Sequence, residues 1–254
     1  MSIARFADRT AYITGAGSGL GRATAQRFAS EGARVFAADV NEVGIAETVA
    51  AIRQSGGVAA GGVCDVSRMD SVRTSIAGAV ETFGGISILI NAAGVGKSAR
   101  LEEIDEAEWQ RVIGVNLTGV FHTTKVAIEH LLKQPGGNIV NIASTAGVRG
   151  QAYNSHYAAS KAGLLNFTKS IALEFVSRGL RANCVCPGGV MTPLLQHFIP
   201  RDDFEPPLMA YYMPPIPHKL GAPEDVAAVI TFLASDEARM INGVALPADF
   251  GTLA

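Results

Sequence analysis

Three side chains of complementary chemistry stand at a usable spacing in the middle of this chain: Ser144, Tyr157 and Lys161. Tyr157 and Lys161 are four apart in a stretch, His156 to Arg178, whose apolar residues recur at helical spacing. That predicts one helix carrying both on the same face, one turn apart. A phenol with the ordinary pKa near 10 transfers protons poorly at neutral pH, and a neighbouring ammonium favours its ionised form. Bringing such a phenol to about 7 takes roughly 4 kcal/mol, at ~1.4 kcal/mol per unit. A lysine in a partly desolvated cleft, aided by a second positive charge, is expected to supply it. Tyr157 then reads as a general acid/base. Ser144 follows the apolar run Asn138–Ala143, where its hydroxyl is placed to hydrogen-bond an alcohol or carbonyl oxygen and so orient a substrate. Tyr-x-x-x-Lys alone occurs on many helices as an inert exposed pair, so the assignment rests on what else the chain contains.

The elements that would position these residues can be read from the hydrophobic pattern. Short apolar runs at Ala11–Thr14, Arg34–Asp39, Val58–Cys64, Ser87–Asn91, Asn138–Ala143, Arg181–Cys186 and Val244–Ala248 alternate with segments of helical period. Near-continuous apolar strands separated by helices predict an α/β fold: a doubly wound, seven-stranded parallel sheet of Rossmann type, with helices on both faces. The first strand runs into Thr14-Gly-Ala-Gly-Ser-Gly-Leu-Gly21, with a helix expected from about Leu20. Such a turn lets backbone N–H groups and the positive end of a helix meet a pyrophosphate. The second strand ends at Asp39, 18 positions beyond Gly21, where a carboxylate accepts hydrogen bonds from an adenosine ribose and repels a 2′-phosphate. No arginine or lysine lies within the glycine turn or just after Asp39, so NAD is expected rather than NADP. Asp65, after the third strand, is a candidate for the adenine edge, with capping of the next helix as the alternative.

Composition bounds the rest. With 254 residues, 48% of them hydrophobic and 17% charged, the chain has material for a large core, and no linker or composition break divides it. A single domain spanning 1–254 is expected. The formal charge of −2 with both signs interspersed argues against nucleic acid and anionic membranes as partners. No leader-like apolar segment and no membrane-length apolar run is present, which points to the cytoplasm. Cys64, Cys184 and Cys186 read as core residues, and none of the five histidines stands at ligand spacing to another histidine or cysteine, so no metal is expected.

Thr14-Gly-x-x-x-Gly-x-Gly21, Asn91-Ala-Ala-Gly94, Asn116 in Val-Asn-Leu-Thr-Gly, Ser144, Tyr157-x-x-x-Lys161 and Pro187-Gly188 occur together and in this order. In this the chain resembles the short-chain dehydrogenase/reductase family, in its single-domain branch, from roughly Ala7 to Gly251. The resemblance implies an NAD(H)-dependent oxidoreductase acting on a secondary alcohol or its ketone, with Ser144, Tyr157, Lys161 and Asn116 as the catalytic set. Asn116 would sit in a mid-helix backbone irregularity holding a water on a proton relay. Gly15, Ser18, Gly19, Leu20 and Gly21 would bind the cofactor's phosphates, and Asp39, Asp65 and Val66 its adenosine. Asn91, Ala92, Ala93 and Gly94 would pass beneath it. Tyr157, Lys161, Pro187, Gly188, Val190 and Thr192 would hold the nicotinamide end. Ala92, Ala143 and the ending Pro247-Ala-Asp-Phe-Gly251 depart from the usual family pattern. The resemblance also implies a homo-oligomer, a tetramer or dimer, and Leu164, Leu165, Phe167, Ile171 and Leu173 give the Tyr157 helix more apolar positions than one core-facing stripe needs.

Residues 191–218 hold seven of the 11 prolines and are the least family-like stretch. Leu194, Leu195, Phe198, Phe204, Leu208, Met209, Tyr211, Tyr212 and Met213 suggest a lid over an apolar pocket, with Arg201 to Asp203 and Glu205 as its solvated face. The expected substrate residues are Ser144, Tyr157, Val95, Gly189, Met191, Phe198, Tyr211 and Tyr212, around an apolar secondary alcohol, cyclic ones included. Lys97 and Arg149, on loops expected to flank Ser144, leave room for a carboxylate on the substrate, with two solvated surface charges as the alternative. Two other functions fit the cofactor: an NAD-dependent epimerase or dehydratase, which usually carries a second substrate domain and a Gly-x-x-Gly-x-x-Gly turn, and a non-catalytic dinucleotide-binding subunit, which commonly lacks the tyrosine or lysine.

Overall fold

Strands and helices alternate in the order the patterning predicts. The computed structural model describes residues 4–210 and 220–254. Its strands are β1 (Thr10–Thr14), β2 (Arg34–Asp39), β3 (Val58–Val63), β4 (Ile88–Asn91), β5 (Asn138–Ile142), β6 (Arg181–Pro187) and β7 (Ala245–Ala248), each within one residue of its apolar run at either end. Its helices are α1 (Gly19–Ser30), α2 (Glu42–Gln54), α3 (Met69–Phe83), α4 (Glu106–Ile113), α5 (Gly119–Leu132), the single turn α6 (Thr145–Val148), α7 (Ser155–Glu174), the short α8 (Pro206–Ala210) and α9 (Pro223–Ala234). All seven strands are parallel, in the order β3-β2-β1-β4-β5-β6-β7. Period-two alternation sends neighbouring side chains to opposite faces. Ile13, Ile88, Ile90 and Val140 pack with Phe28 of α1 and Ile230 of α9. Tyr12, Leu89 and Ile139 pack with Ile76 of α3, Leu131 of α5 and Ile171 of α7 on the other. Both faces are therefore buried along the central strands β2, β1, β4, β5 and β6, the physical reason these read as continuous apolar runs, whereas the edge strands β3 and β7 are partly exposed.

Strand order reverses between β1 and β4, and the crevice beyond their carboxyl ends is where such sheets take ligands. Two glycines are required there. Gly15 has φ +67°, and a Cβ on it would lie 2.7 Å from the Ala93 nitrogen; a Cβ on Gly21 would lie 2.1 Å from the Gly15 oxygen. Neither position has room for a methyl group.

The Tyr157 helix is shorter than its periodicity suggests. It ends at Glu174, a 3-10 turn covers Val176–Arg178, and Gly179 at φ +77° closes it. The apolar positions of α7 divide between buried and exposed. Leu164, Leu165 and Ile171 are buried, whereas Leu173 is 76% exposed. A helix packed against β6, α4 and α6 at once uses more than one stripe. Among the described residues no helix is long and apolar enough to cross a membrane. The three cysteines are free and buried, as expected of core residues.

Candidate active site

Beyond β5 the backbone at Ser144 is extended, φ −170° and ψ 160°, and its hydroxyl caps α6 by accepting from the Ala146 N–H at 3.2 Å. On α7, Tyr157 and Lys161 are both buried, at 9% and 4% exposure. The Lys161 Nζ donates to the Ile142 carbonyl at 2.8 Å and lies 5.7 Å from the centre of the Tyr157 ring. Burial pushes the Tyr157 phenol up to about 12, opposed by its hydrogen bond with Ser144. Burial pulls Lys161 down to about 8, opposed by Cys184 and Cys186. The expected lowering of the phenol by the ammonium is thus not realised in the protein alone. Desolvation penalises the charged form of both groups, and the ammonium spends a hydrogen bond on the end of β5.

Asn116 lies in a π-helical segment, Gly114–Thr118, between α4 and α5. This is the irregularity the resemblance implied, a break in the i→i−4 ladder that leaves backbone groups with altered partners. The Asn116 side chain does not line the cavity. Its Oδ1 accepts from the Val95 N–H at 2.9 Å, and its Nδ2 donates to the Val95 carbonyl at 2.8 Å and to Ser160 Oγ at 3.1 Å. It thereby fixes the loop that follows Gly94. Asn91 does not reach the cavity either. Parallel pairing sets it opposite Asn141, whose Oδ1 accepts from the Asn91 Nδ2 at 2.8 Å, while Thr123 Oγ1 donates to Asn91 Oδ1 at 2.7 Å. The Asn141 Nδ2 continues to Thr168 Oγ1 on α7 at 2.8 Å. A buried polar chain therefore ties the helix of Tyr157 to the centre of the sheet.

One cavity of about 600 Å³ runs from the glycine turn to Tyr157. Gly15, Ser18, Gly19, Leu20, Gly21, Asp39, Asp65, Val66, Ala92, Ala93 and Gly94 line one end of it, and Pro187, Gly188, Val190 and Thr192 an adjoining wall. These residues fit a dinucleotide. The first turn of α1 has no acidic residue and Ser18 makes no side-chain cap, so its N–H groups face an anion undefended. Asp39 closes the far end, its carboxylate accepting from the N–H groups of Gly17 and Asn41, both at 2.9 Å. The nearest cation, Arg22 directly after the turn, donates to the Gly17 carbonyl and to Glu47 at 2.7 Å. It is committed to α2 instead of standing open to a 2′-phosphate. Asp65 accepts from the Ser67 N–H at 3.0 Å and hydroxyl at 2.6 Å, so it holds the turn before α3 as well as facing the cavity. The divergent C-terminal ending packs here: the Gly188 N–H donates to the Ala248 carbonyl at 3.1 Å.

The other end is apolar. The Phe198 ring stands edge-on to Tyr157 at 4.9 Å between centres, an approach that Gly96 permits, since a Cβ there would lie 2.7 Å from both rings. Val95, Gly189, Leu194, Leu195, Phe198 and Met209 line it. Met191 does not: Val190 pairs with Gly221 in a parallel bridge and points inward, so its neighbour points out and is 56% exposed. Tyr211, Tyr212 and Met213 lie outside the described residues. Gln151 and Asn154 line this end without having been foreseen; both sit in the loop before α7, where no periodicity marks a facing side. The expected solvated face of the lid is exposed, and it is also ion-paired to the body. Arg201 grips Glu103 at 2.6 and 2.8 Å and Asp203 at 2.7 and 2.9 Å. Phe204 stacks on Tyr153, with ring centres 3.9 Å apart. Lys97 and Arg149 are not among the lining residues, and the Lys97 Nζ lies 3.9 Å from Glu108. Among the described residues no cluster of His, Cys, Asp and Glu could hold a metal ion.

Known proteins resemble this one along nearly its whole length. The sequence pattern of a family described as enoyl-(acyl carrier protein) reductase matches residues 15–252. The 2,5-dichloro-2,5-cyclohexadiene-1,4-diol dehydrogenase of Sphingobium indicum is 43% identical over 248 residues, 97% of each chain. The cis-4-hydroxycyclohexanecarboxylate dehydrogenase of Sinomonas cyclohexanicum is 41% identical over 247 residues, again 97% of each. A short chain dehydrogenase from Mycobacterium paratuberculosis, solved bound to NAD, superposes with a TM-score of 0.91 at 28% identity, covering 98% of both chains. Likeness of this extent, in sequence and in fold, shows the family: the chain belongs to the short-chain dehydrogenase/reductase family and is an oxidoreductase.

Proposed function

We propose that this protein is an NAD(H)-dependent dehydrogenase that interconverts an apolar, cyclic secondary alcohol and its ketone. The observation that carries the reading is a single cavity with a dinucleotide cradle at one end, an apolar wall at the other, and Ser144, Tyr157 and Lys161 where the two meet. NAD, when bound, supplies the hydride acceptor, or in its reduced form the donor. The glycine turn and α1 would hold its pyrophosphate, Asp39 its adenosine ribose, and Lys161 the ribose nearer the reaction. Ser144 holds the substrate oxygen, and Tyr157 removes the hydroxyl proton in oxidation or returns it in reduction. Lys161 keeps two further donors beyond its bond to Ile142, and its charge brings the phenol down from about 12 once an ion beside it shares the buried site. Asn116 fixes the loop at Val95, and its backbone in the π segment would hold a water that carries the proton onward. Two relatives whose names specify ring alcohols support the substrate class. Conversion of neutral cyclic alcohols with NAD, followed as NADH formation, tests the reading. Tyr157→Phe removes only the ionisable hydroxyl and is expected to lower turnover at least about a hundredfold while NADH still binds; near-normal turnover would overturn the mechanism.

The whole chain is read as one domain working in the cytoplasm, supported by the single sheet and by three thiols left unpaired. A homo-oligomer, dimer or tetramer, is supported by exposed Trp109 on α4 and Phe121 on α5. A monomeric mass by light scattering at micromolar concentration would count against it.

A further inference from the structure

Gln151 stands half-buried on the wall of the substrate end, among Val95, Leu194, Phe198 and Met209. An amide in an apolar wall carries a desolvation cost unless something bonds to it. Its Nε2 donates one long hydrogen bond, 3.4 Å, to Oγ1 of Thr145, the residue after Ser144. Its Oε1 meets no donor among the described residues, and one Nε2 hydrogen is also unused. Asn154 on the same wall differs. Its Oδ1 accepts from Ser98 Oγ at 3.2 Å, its Nδ2 donates to the Ala152 carbonyl at 3.3 Å, and it is buried. One amide is consumed in holding loops together; the other is tethered beside the reacting centre with its carbonyl free.

Resting on the dehydrogenase reading above, we infer that Gln151 forms a polar subsite for a second hydroxyl on the substrate ring, so that the preferred substrates are uncharged cyclic diols. A hydroxyl donates to Oε1 and accepts from Nε2 at once. A ketone or ether can use only the second half of that exchange, and a methylene neither. The subsite is neutral: among the described lining residues at this end the sole cation is Lys161, and Lys97 is turned to Glu108. A carboxylate would meet no counter-charge there.

The test compares cyclohexanol with cyclohexane-1,4-diol on the full chain, by turnover with NAD and by calorimetric affinity for the NADH complex. The wild-type protein is expected to bind the diol at least as tightly as cyclohexanol, despite the extra polar group. Gln151→Leu is expected to lower the diol-to-cyclohexanol ratio about tenfold, in KM more than in kcat. Gln151→Glu, which keeps an acceptor at that position, is expected to restore it. A ratio unmoved by the leucine variant, or a wild-type protein that prefers cyclohexanol, overturns the subsite; the second outcome needs no variant to fold. Absence of NADH formation from either alcohol, with the affinity ratio still moved by Gln151→Leu, would overturn the dehydrogenase reading and leave the subsite standing.

Discussion

The two ends of the cavity are built from different materials. The cofactor end is backbone: glycines at the β1–α1 turn, the loop Ala92 to Gly94 and Pro187–Gly188, all anchored at the carboxyl ends of buried strands. The substrate end is side chains, carried on a 3-10 turn (Pro193–Phe198) and α8 and held down by exposed ion pairs and ring stacking. Backbone placed by a sheet tolerates almost no change, because any added atom meets main chain. Side chains on a short, clasped segment can be exchanged while the reacting groups stay in place. One end therefore fixes the chemistry, and the other is where a fold of this kind varies its substrate.

The sharpest test of that contrast is a methyl group. In Gly21→Ala the new Cβ would sit 2.1 Å from the Gly15 oxygen, so the turn must open. NAD affinity, followed by NADH fluorescence titration, is expected to fall more than about a hundredfold, since an open turn loses its convergent N–H groups. Phe198→Ala, which removes a whole ring at the other end, is expected to raise KM for large alcohols only several-fold, since it exposes a wall without moving Tyr157. Similar losses from both variants would break the comparison. Asp39 gives the next largest effect. A 2′-phosphate beside its carboxylate pairs like charges at a cost on the order of 1 to 4 kcal/mol, a preference for NAD of about tenfold to a thousandfold. Asp39→Ala should narrow the gap, mostly by weakening NAD, and equal kcat/KM for NADP in the unmodified protein would remove the basis of the assignment.

The same contrast explains what was legible beforehand. Strands buried on both faces announce themselves as continuous apolar runs, and the glycine turn, Ser144 and Tyr157-x-x-x-Lys161 are fixed by spacing along the chain. Asn141 and Thr168 were invisible because their partners arise only from the register of β4 against β5 and the docking of α7. The depth of the Tyr157 and Lys161 pair was not legible either, because spacing shows that an ammonium is near and not how deeply both groups are buried. Met191 failed for a related reason: the bridge at Val190 sets which of two neighbours faces inward. In the lid, composition identified the apolar lining at Leu194, Leu195, Phe198 and Met209, but it could not show that Arg201 and Asp203 face residues a hundred positions earlier.

Lys161 joins the two ends, and its burial has a cost that is measurable without any ligand. Its folded pKa of about 8 lies below the unfolded value, so between about 8 and 10.4 the unfolded chain binds more protons and stability rises with pH. Tyr157 acts in the opposite sense at higher pH: raised to about 12, it makes stability fall between about 10 and 12. From pH 7.5 to 9.5 the lysine contribution amounts to about 2 kcal/mol. Cys64, Cys184 and Cys186, whose thiols burial raises, act in the opposite sense over the same interval, so denaturant unfolding of the cofactor-free protein should show wild-type stability climbing relative to that of Lys161→Met, although the same variant loses turnover. A variant whose stability follows the wild-type pH profile would show that the ammonium is better solvated than its position implies.

The smallest effect belongs to the clasp on the outside of the lid, and it decides whether the substrate end is held or merely placed. Arg201 bridges Glu103 on the body and Asp203 on the lid, and Arg100 reaches Asp203 from the same side at 3.5 Å. All four charges are substantially exposed, and exposed pairs are weak and screened by salt. Bidentate geometry and the buried Phe204 stacked on Tyr153 favour the docked arrangement. Arg201→Ala is therefore expected to raise KM for a bulky alcohol only about two- to threefold, with KM for NAD unchanged, since the clasp touches only one end of the cavity. Salt supplies the sharper criterion. Raising ionic strength to roughly 1 M shortens the screening length to about 3 Å, and should raise the wild-type KM toward that of the variant while leaving the variant nearly still. Parallel salt responses in the two proteins would mean that the stacked rings alone hold the lid, and that the ion pairs contribute nothing to the difference between the two ends.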